Sequence, residues 1–254
     1  MTAPPPPASP AAPAALQTWQ AARRRAVTSA TGNLALVETR WLSAGVDPAA
    51  ELALATAESS ATVTVTSLTR RNAETGEPEH GLRFWDAQSP AIGAFEGISA
   101  FAYDPDWVIQ AQFTPVAEGR TIPFEHIRDN GGSRDLVVPG DITFSRDGVD
   151  YSLSAFDDDG TLLLVFGDAT NRQVGETATY SSGRFLFVQR QAGAAGFGDA
   201  GTVTLDFNRA FVPPCGFSVQ YNCPLPPAQN RFAGSIEAGE REVVFTGGFD
   251  IYAL

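Results

Sequence analysis

The sequence predicts a mainly β fold, an antiparallel barrel or sandwich of about ten strands with a helix at its N-terminal end. Three observations carry this. After residue 60, short runs of β-branched and aromatic residues alternate with polar ones, the pattern of half-buried strands. Asp147 with Gly148, and Asp159 with Gly160, stand between such runs and read as tight hairpin turns. The turn signals lie close together, which favours an antiparallel barrel or sandwich over a βαβ arrangement.

Taken in order, residues 1–13 are Pro/Ala low complexity and read as a disordered tail, and residues 14–254 as a single mainly β domain. Leu16, Trp19, Ala22, Ala26 and Val27 recur at helical spacing, predicting a helix over about residues 14–30. Arg23, Arg24 and Arg25 spread around that helix and read as solvated surface rather than as an anion or partner site. A second helix is allowed over residues 47–58, where Asp47 can cap and Pro48 can occupy the first turn. The stretches ATVTVTSL, WVIQAQFTP, TYSSGRFLFVQ, GTVTLDFNRAF and EVVFTGGFDIY each read as strands, and residues 140–170 as three more.

Two runs, TLLLVF and RFLFV, are apolar on both faces and should be covered on both sides. Asp168 lies just past the first and Arg184 opens the second. If the runs pair, these two ends meet, which predicts an Asp168–Arg184 contact with Tyr180 close by. That contact reads as a structural clamp, or else as a ligand-facing pair. In TVTLDFNRAF, Val203, Leu205 and Phe207 mark one face, and Thr204, Asp206 and Asn208 the other. The polar face is solvent, or a cavity wall if the strand lies inside a barrel. Arg209 falls on the apolar parity, which implies a bulge or a buried ion pair.

That strand runs into PPCGFSVQYNCPLPPAQN, residues 213–230, which holds both cysteines, Cys215 and Cys223, among five prolines. Two cysteines eight positions apart supply half of a zinc site, and no second pair is evident. A cysteine nucleophile would need a base such as His126, while His80 sits in a polar turn. GFGDAG, from residue 196, fits a dinucleotide fingerprint by letter but precedes a β-branched strand instead of a helix. DDDG, ending at Gly160, lacks the spaced ligands of a calcium loop.

Composition excludes more than it includes. All 17 basic residues are arginine, so a Schiff-base lysine and a P-loop lysine are both ruled out. A net charge of -12 argues against nucleic acid as a partner. No run approaches the roughly 18 apolar residues of a spanning helix, so no membrane is implied. The N-terminus lacks the charged and apolar regions of a secretory signal, which makes the cytoplasm the expected location and reduced thiols the expected state. No cofactor and no metal is called for.

Four stretches together resemble the domain of unknown function 1684 family of bacteria and archaea: WQAARRRAVTSATGNLALVETRWLSAG, RFWDAQSPAIGAFEGISAFAYDPDWVIQAQF, LLVFGDATNRQVGETATYSSGRFLFV and LDFNRAFVPPCGFSVQYNCPLPPAQNRFAGSIEAGERE. The resemblance spans about residues 19–242. It places family motif residues at Asp206, Asn208, Ala210, Pro213, Cys215, Tyr221, Cys223, Pro224, Pro227 and Asn230, and at Tyr180, Gly183 and Arg184. The chain departs from the family pattern at Thr31–Leu34 and in the Ala-rich segment that follows RWLSAG. The resemblance implies no activity.

The resulting expectation is a β domain that binds a small polar ligand in a pocket. Asp206 and Asn208 form its wall, Arg184, Tyr180, Asp168 and Arg209 its rim, and the proline-braced loop with Tyr221 and Asn230 its lid. A hydrolase using Asp206 or a loop thiol is one alternative, and a structural or partner-binding domain another.

Overall fold

The computed structural model describes residues 11–72, 75–128, 133–190 and 197–253. Helix α1 (Ala14–Val27) opens the chain, ahead of β1 (Leu36–Trp41), α2 (Pro48–Glu58), β2 (Val63–Arg71) and β3 (Pro78–Asp86). Then come α3 (Pro90–Ala94), β4 (Phe95–Ala100), β5 (Val108–Pro115), β6 (Thr121–Glu125), β7 (Ser133–Val137) and β8 (Gly140–Arg146). The rest is β9 (Val149–Ser154), β10 (Phe156–Asp158), β11 (Thr161–Phe166), β12 (Arg184–Phe187), β13 (Gln189–Arg190), β14 (Gly201–Asp206) and β15 (Glu240–Phe245).

The fold is mainly β and antiparallel with an N-terminal helix, as the sequence predicts, but the strands are shorter and more numerous than expected. They form five sheets, ordered β1-β3-β2, β10-β11-β12, β13-β14-β5-β8-β9, β15-β4 and β6-β7, and among the described residues none closes into a barrel. Packed open sheets are the form the architecture takes. Both Asp-Gly turns are present. Asp147 and Asp159 have φ of 52° and 50°, and Gly148 and Gly160 have 77° and 84°, so both central residues of each turn are left-handed. Asp47 caps α2 by accepting the Ala49 N–H at 3.0 Å.

β11 is the centre of the molecule. Leu162, Leu164 and Phe166 point to one side, onto Ala111, Phe113, Ile142, Leu153, Val203 and Leu205 of the five-stranded sheet. Leu163 and Val165 point to the other, onto Phe124, Val138, Phe185, Phe211, Cys215 and Cys223. The doubly apolar run is therefore covered twice, once by a sheet and once by β6 and the Pro/Cys loop. At the front, β1–β3 packs α2 on one face through Leu82, Phe84, Val63, Val65 and Ala55. Its other face turns toward the Pro/Cys loop.

Two expectations need correction. The strand expected through residue 211 ends at Asp206, where residues 207–209 form a 3-10 turn. That turn, not a bulge, explains the parity of Arg209, whose ion pair with Asp206 (3.3 Å) is partly exposed. Arg23 is not solvated surface. It donates to both Glu240 carboxylate oxygens at 2.9 and 3.1 Å and to the Val212 carbonyl at 2.7 Å, fixing α1 to β15.

Candidate functional site

The expected Asp168–Arg184 contact forms at 2.8 Å with both side chains fully buried. It arises because Phe166 pairs with Arg184 across β11 and β12, so the charged residues fall at one end of the ladder. Three carbonyls also accept from Arg184 Nη1 and Nη2: Ala238 at 2.5 Å, Ile236 at 2.8 Å and Glu240 at 3.2 Å. Asp168 Oδ1 accepts from the Thr170 N–H, the Thr170 hydroxyl and the Ile236 N–H. Burial lowers the Arg184 pKa, and the charge of Asp168 opposes that shift. With Arg184 Nη1 and Nη2 both taken by protein acceptors, the pair is built as a clamp.

Asn230 is also fully buried and structural. Its side chain accepts the Ser154 N–H at 2.9 Å and donates to the Ser154 and Val165 carbonyls at 2.8 Å each, tying β9 to β11. Asn208 accepts the Asp104 N–H and donates to the Asp104 carbonyl, both at 2.9 Å. Asp206 accepts the Asn208 N–H and faces Arg209. Neither lines the larger cavities described below. A pocket wall at Asp206 and Asn208 needed β14 inside a barrel, whereas β14 lies in an open sheet between β13 and β5.

Cys215 and Cys223 are free and buried, and the Cys215 N–H donates to Cys223 Sγ at 3.3 Å. Hydrogen bonds from Cys223 and Tyr180 hold the Cys215 thiol below its ordinary range, against the opposing effect of burial. Hydrogen bonding to Cys215 and burial push Cys223 well up. Burial likewise raises the Tyr180 phenol, whose hydroxyl also meets Tyr252 at 3.4 Å. This thiol–thiol–phenol cluster is not legible in the sequence, because Tyr180 lies on a different segment. His126 is buried at the loop's edge, where its Nδ1 bonds the Phe124 carbonyl and its backbone bridges Pro224. His80 is exposed but lies in β3 rather than in a turn, with its Nδ1 3.1 Å from the Thr69 hydroxyl. Among the described residues no three His, Cys, Asp or Glu side chains converge on a metal-sized site. The glycine motif begins at residue 196, which lies outside the described residues.

Gly183 joins the clamp to the loop. Its φ is +96°, and a Cβ there would meet Pro226 Cγ at 2.6 Å and the Phe166 carbonyl at 2.7 Å. Pro226 and Leu225 then border a cavity of about 570 Å³ shared with Asp168, Asn171, Arg172 and Arg231. The loop's other end borders a larger one, of about 630 Å³. Its floor is Val219, Gln220 and Asn222, and its walls carry Arg70, Arg83, Arg128, Arg134, Thr39 and Trp41.

The junction is pinned by direct bonds. The Ser218 hydroxyl donates to the Leu36 carbonyl at 2.7 Å, and the Thr39 N–H donates to Gln220 Oε1 at 2.9 Å. Tyr221 is half-buried beneath it. Burial raises its pKa, the Arg83 charge and a bond to Asn33 oppose, and the Arg83 guanidinium lies 5.2 Å from the ring centre. None of the cavity arginines was singled out in the sequence. For Arg83 alone a signal was available, the same-face spacing to Trp85 in GLRFWD.

The sequence model of a family described as "Protein of unknown function (DUF1684)" matches residues 93–241. The chain belongs to this family. The DUF1684 match takes in the clamp, the Pro/Cys loop, Arg128 and Arg134. It begins after β3, in line with the departures from the family pattern at the front. A similar solved structure, determined by solution NMR, is the uncharacterized protein from gene locus rrnAC0354 of Haloarcula marismortui. It is 30% identical, covering 58% of this chain and 77% of that one, with a TM-score of 0.45. No curated protein matches. Among the described residues, no helix is long and apolar enough to cross a membrane.

Proposed function

We propose that this DUF1684 protein binds a small polar ligand in the cavity between the Pro/Cys loop and the β1–β3 sheet, and that residues 14–254 act as one unit in doing so. The observation that carries this reading is the two-sided use of the loop. Its inner residues, Cys215 and Cys223, are core. Its outer residues, Val219, Gln220 and Asn222, floor the cavity of about 630 Å³. A floor anchored in the core needs no ordering when a ligand arrives, and the volume falls in the range of small-molecule sites, about 300–1,000 Å³.

The hydrolase alternative has weaker support. Asp206 faces an arginine rather than a base, and Cys215, at 3% exposure, borders neither loop cavity. Native mass spectrometry of the purified full chain tests the binding reading. A retained small molecule, lost when the cavity floor is filled by Gln220→Trp, is the expected result. Retention unaffected by that substitution places the ligand elsewhere and overturns it.

A further inference from the structure

We propose that the ligand of this cavity is a small organic oxyanion, a molecule carrying a phosphate or carboxylate group, and that Arg83 is its principal contact. The inference rests on the cavity being the ligand site and goes on to name the ligand's chemistry.

The argument starts from arginines whose buried Nε atoms have no hydrogen-bond partner: Arg83, Arg120 and Arg184. The other two have their remaining nitrogens well occupied. Arg120 takes both oxygens of Asp141 at 2.7 and 3.1 Å, and Arg184 takes Asp168 and three carbonyls. The Arg83 side chain makes no ion pair and no hydrogen bond to any described residue. What holds it is aromatic, with Tyr221 at 5.2 Å and Trp85 at 5.8 Å from its guanidinium carbon. Contact with aromatic rings orients a guanidinium while leaving its in-plane N–H groups available, the geometry that takes an oxyanion bidentately. Arg83 Nη1 and Nη2 are not among the buried atoms and have no acceptor among the described residues, so they are the donors an oxyanion would engage.

The surroundings agree. In the register of the sheet, Thr39 of β1 and Thr66 of β2 flank Arg83, which puts two hydroxyls beside it on one face. Among the described residues, four arginines line the cavity and no Asp or Glu does. Arg70 is partly neutralised by Glu79 at 2.6 Å and lies 3.9 Å over Trp41. Arg128 is fixed through Nε to the Tyr221 carbonyl at 3.0 Å. In a chain of net charge -12 the long-range field repels anions, so this local excess of positive charge must act by contact. The volume and the Trp41 indole in the wall leave room for an organic body beyond the anionic group. Arg70 and Arg83 precede the family match, whereas Arg128 and Arg134 lie inside it, so the front sheet supplies half of the charge.

The test is calorimetric titration of the full chain at low salt with pyrophosphate and, separately, citrate. The expected result is saturable binding of at least one. The phosphate and carboxylate arms then identify which group the site prefers. Arg83→Met should weaken that binding roughly tenfold or more, the effect of losing one charged bidentate contact. Arg25→Met, which removes an equal charge from exposed helix surface, should leave it unchanged. If Arg83→Met does not fold, Arg83→Gln gives the same comparison.

Absence of saturable binding by either anion, or equal loss in the Arg25 and Arg83 variants, overturns the proposal. Native mass spectrometry separates the two readings. A retained neutral molecule sensitive to Gln220→Trp would sink the oxyanion and leave the binding site standing, whereas an empty protein indifferent to both anions would sink both.

Discussion

Arg184 and Arg83 are both β-strand arginines with a buried, unbonded Nε, and they do opposite things. Arg184 closes the end of the β11–β12 ladder, with a carboxylate and three carbonyls of its own chain around it. The Arg83 guanidinium lies 5.8 and 5.2 Å from the centres of two aromatic rings, and among the described residues it has no acceptor. Burial of a charge does not by itself mark a functional site. What separates scaffold from site is whether the protein supplies the counter-group.

The largest expected effect tests the scaffold side. Arg184→Met leaves Asp168 Oδ2 as an uncompensated buried charge, and should cost about 3–5 kcal/mol of folding stability in urea denaturation. A loss below about 1 kcal/mol would mean that the pair is not the clamp its geometry describes. Asn230→Ala comes next. It strips partners from the Ser154 N–H and from two carbonyls, and about 2–4 kcal/mol should be lost, with little dependence on pH.

Arg83→Met supplies the contrast. Since no hydrogen bond is broken, stability should move by less than about 1 kcal/mol while anion binding falls. A drop as large as that of Arg184→Met would erase the distinction between the two arginines.

The clamp was legible in the sequence because strand pairing is a local, periodic matter. Two doubly apolar runs with opposite charges at matching ends leave few ways to pair. The Asp-Gly hairpins and the Asp47 cap were legible for the same reason, since each is fixed by neighbours in the chain. The cavity was not. It is assembled from β1–β3, the segment around Arg128 and the tip of the Pro/Cys loop, and nothing in the periodicity of any one of them shows that their arginines converge. Asp206 and Asn208 misled because an alternating polar face looks the same in an open sheet as inside a barrel. The Pro/Cys loop was read as a lid over β14. It is instead a second cover for β11, because Cys215 and Cys223 are small apolar groups that fill the space beside Val165 and Phe185.

A third arginine lies between the two extremes and gives the smallest predicted effect. Arg23 meets Glu240 bidentately at the edge of the core, and its side chain keeps 17% exposure against 4% for the glutamate. Burial raises the Glu240 carboxyl above 4.5, and the charge and hydrogen bonds of Arg23 only partly oppose it. The native state therefore holds this proton more tightly than the unfolded chain does. Glu240's contribution to stability is full below 4.5 and declines as pH rises toward its raised native value. Glu240→Gln removes that titration. The stability of the natural chain relative to Glu240→Gln should accordingly fall as pH rises from 4.5 through the raised native value, then level off, when followed by urea midpoints in parallel buffers. A relative stability that rises over the same window would mean that Arg23 outweighs desolvation. Arg23 would then belong with Arg184, as a guanidinium whose counter-charge the fold fully supplies.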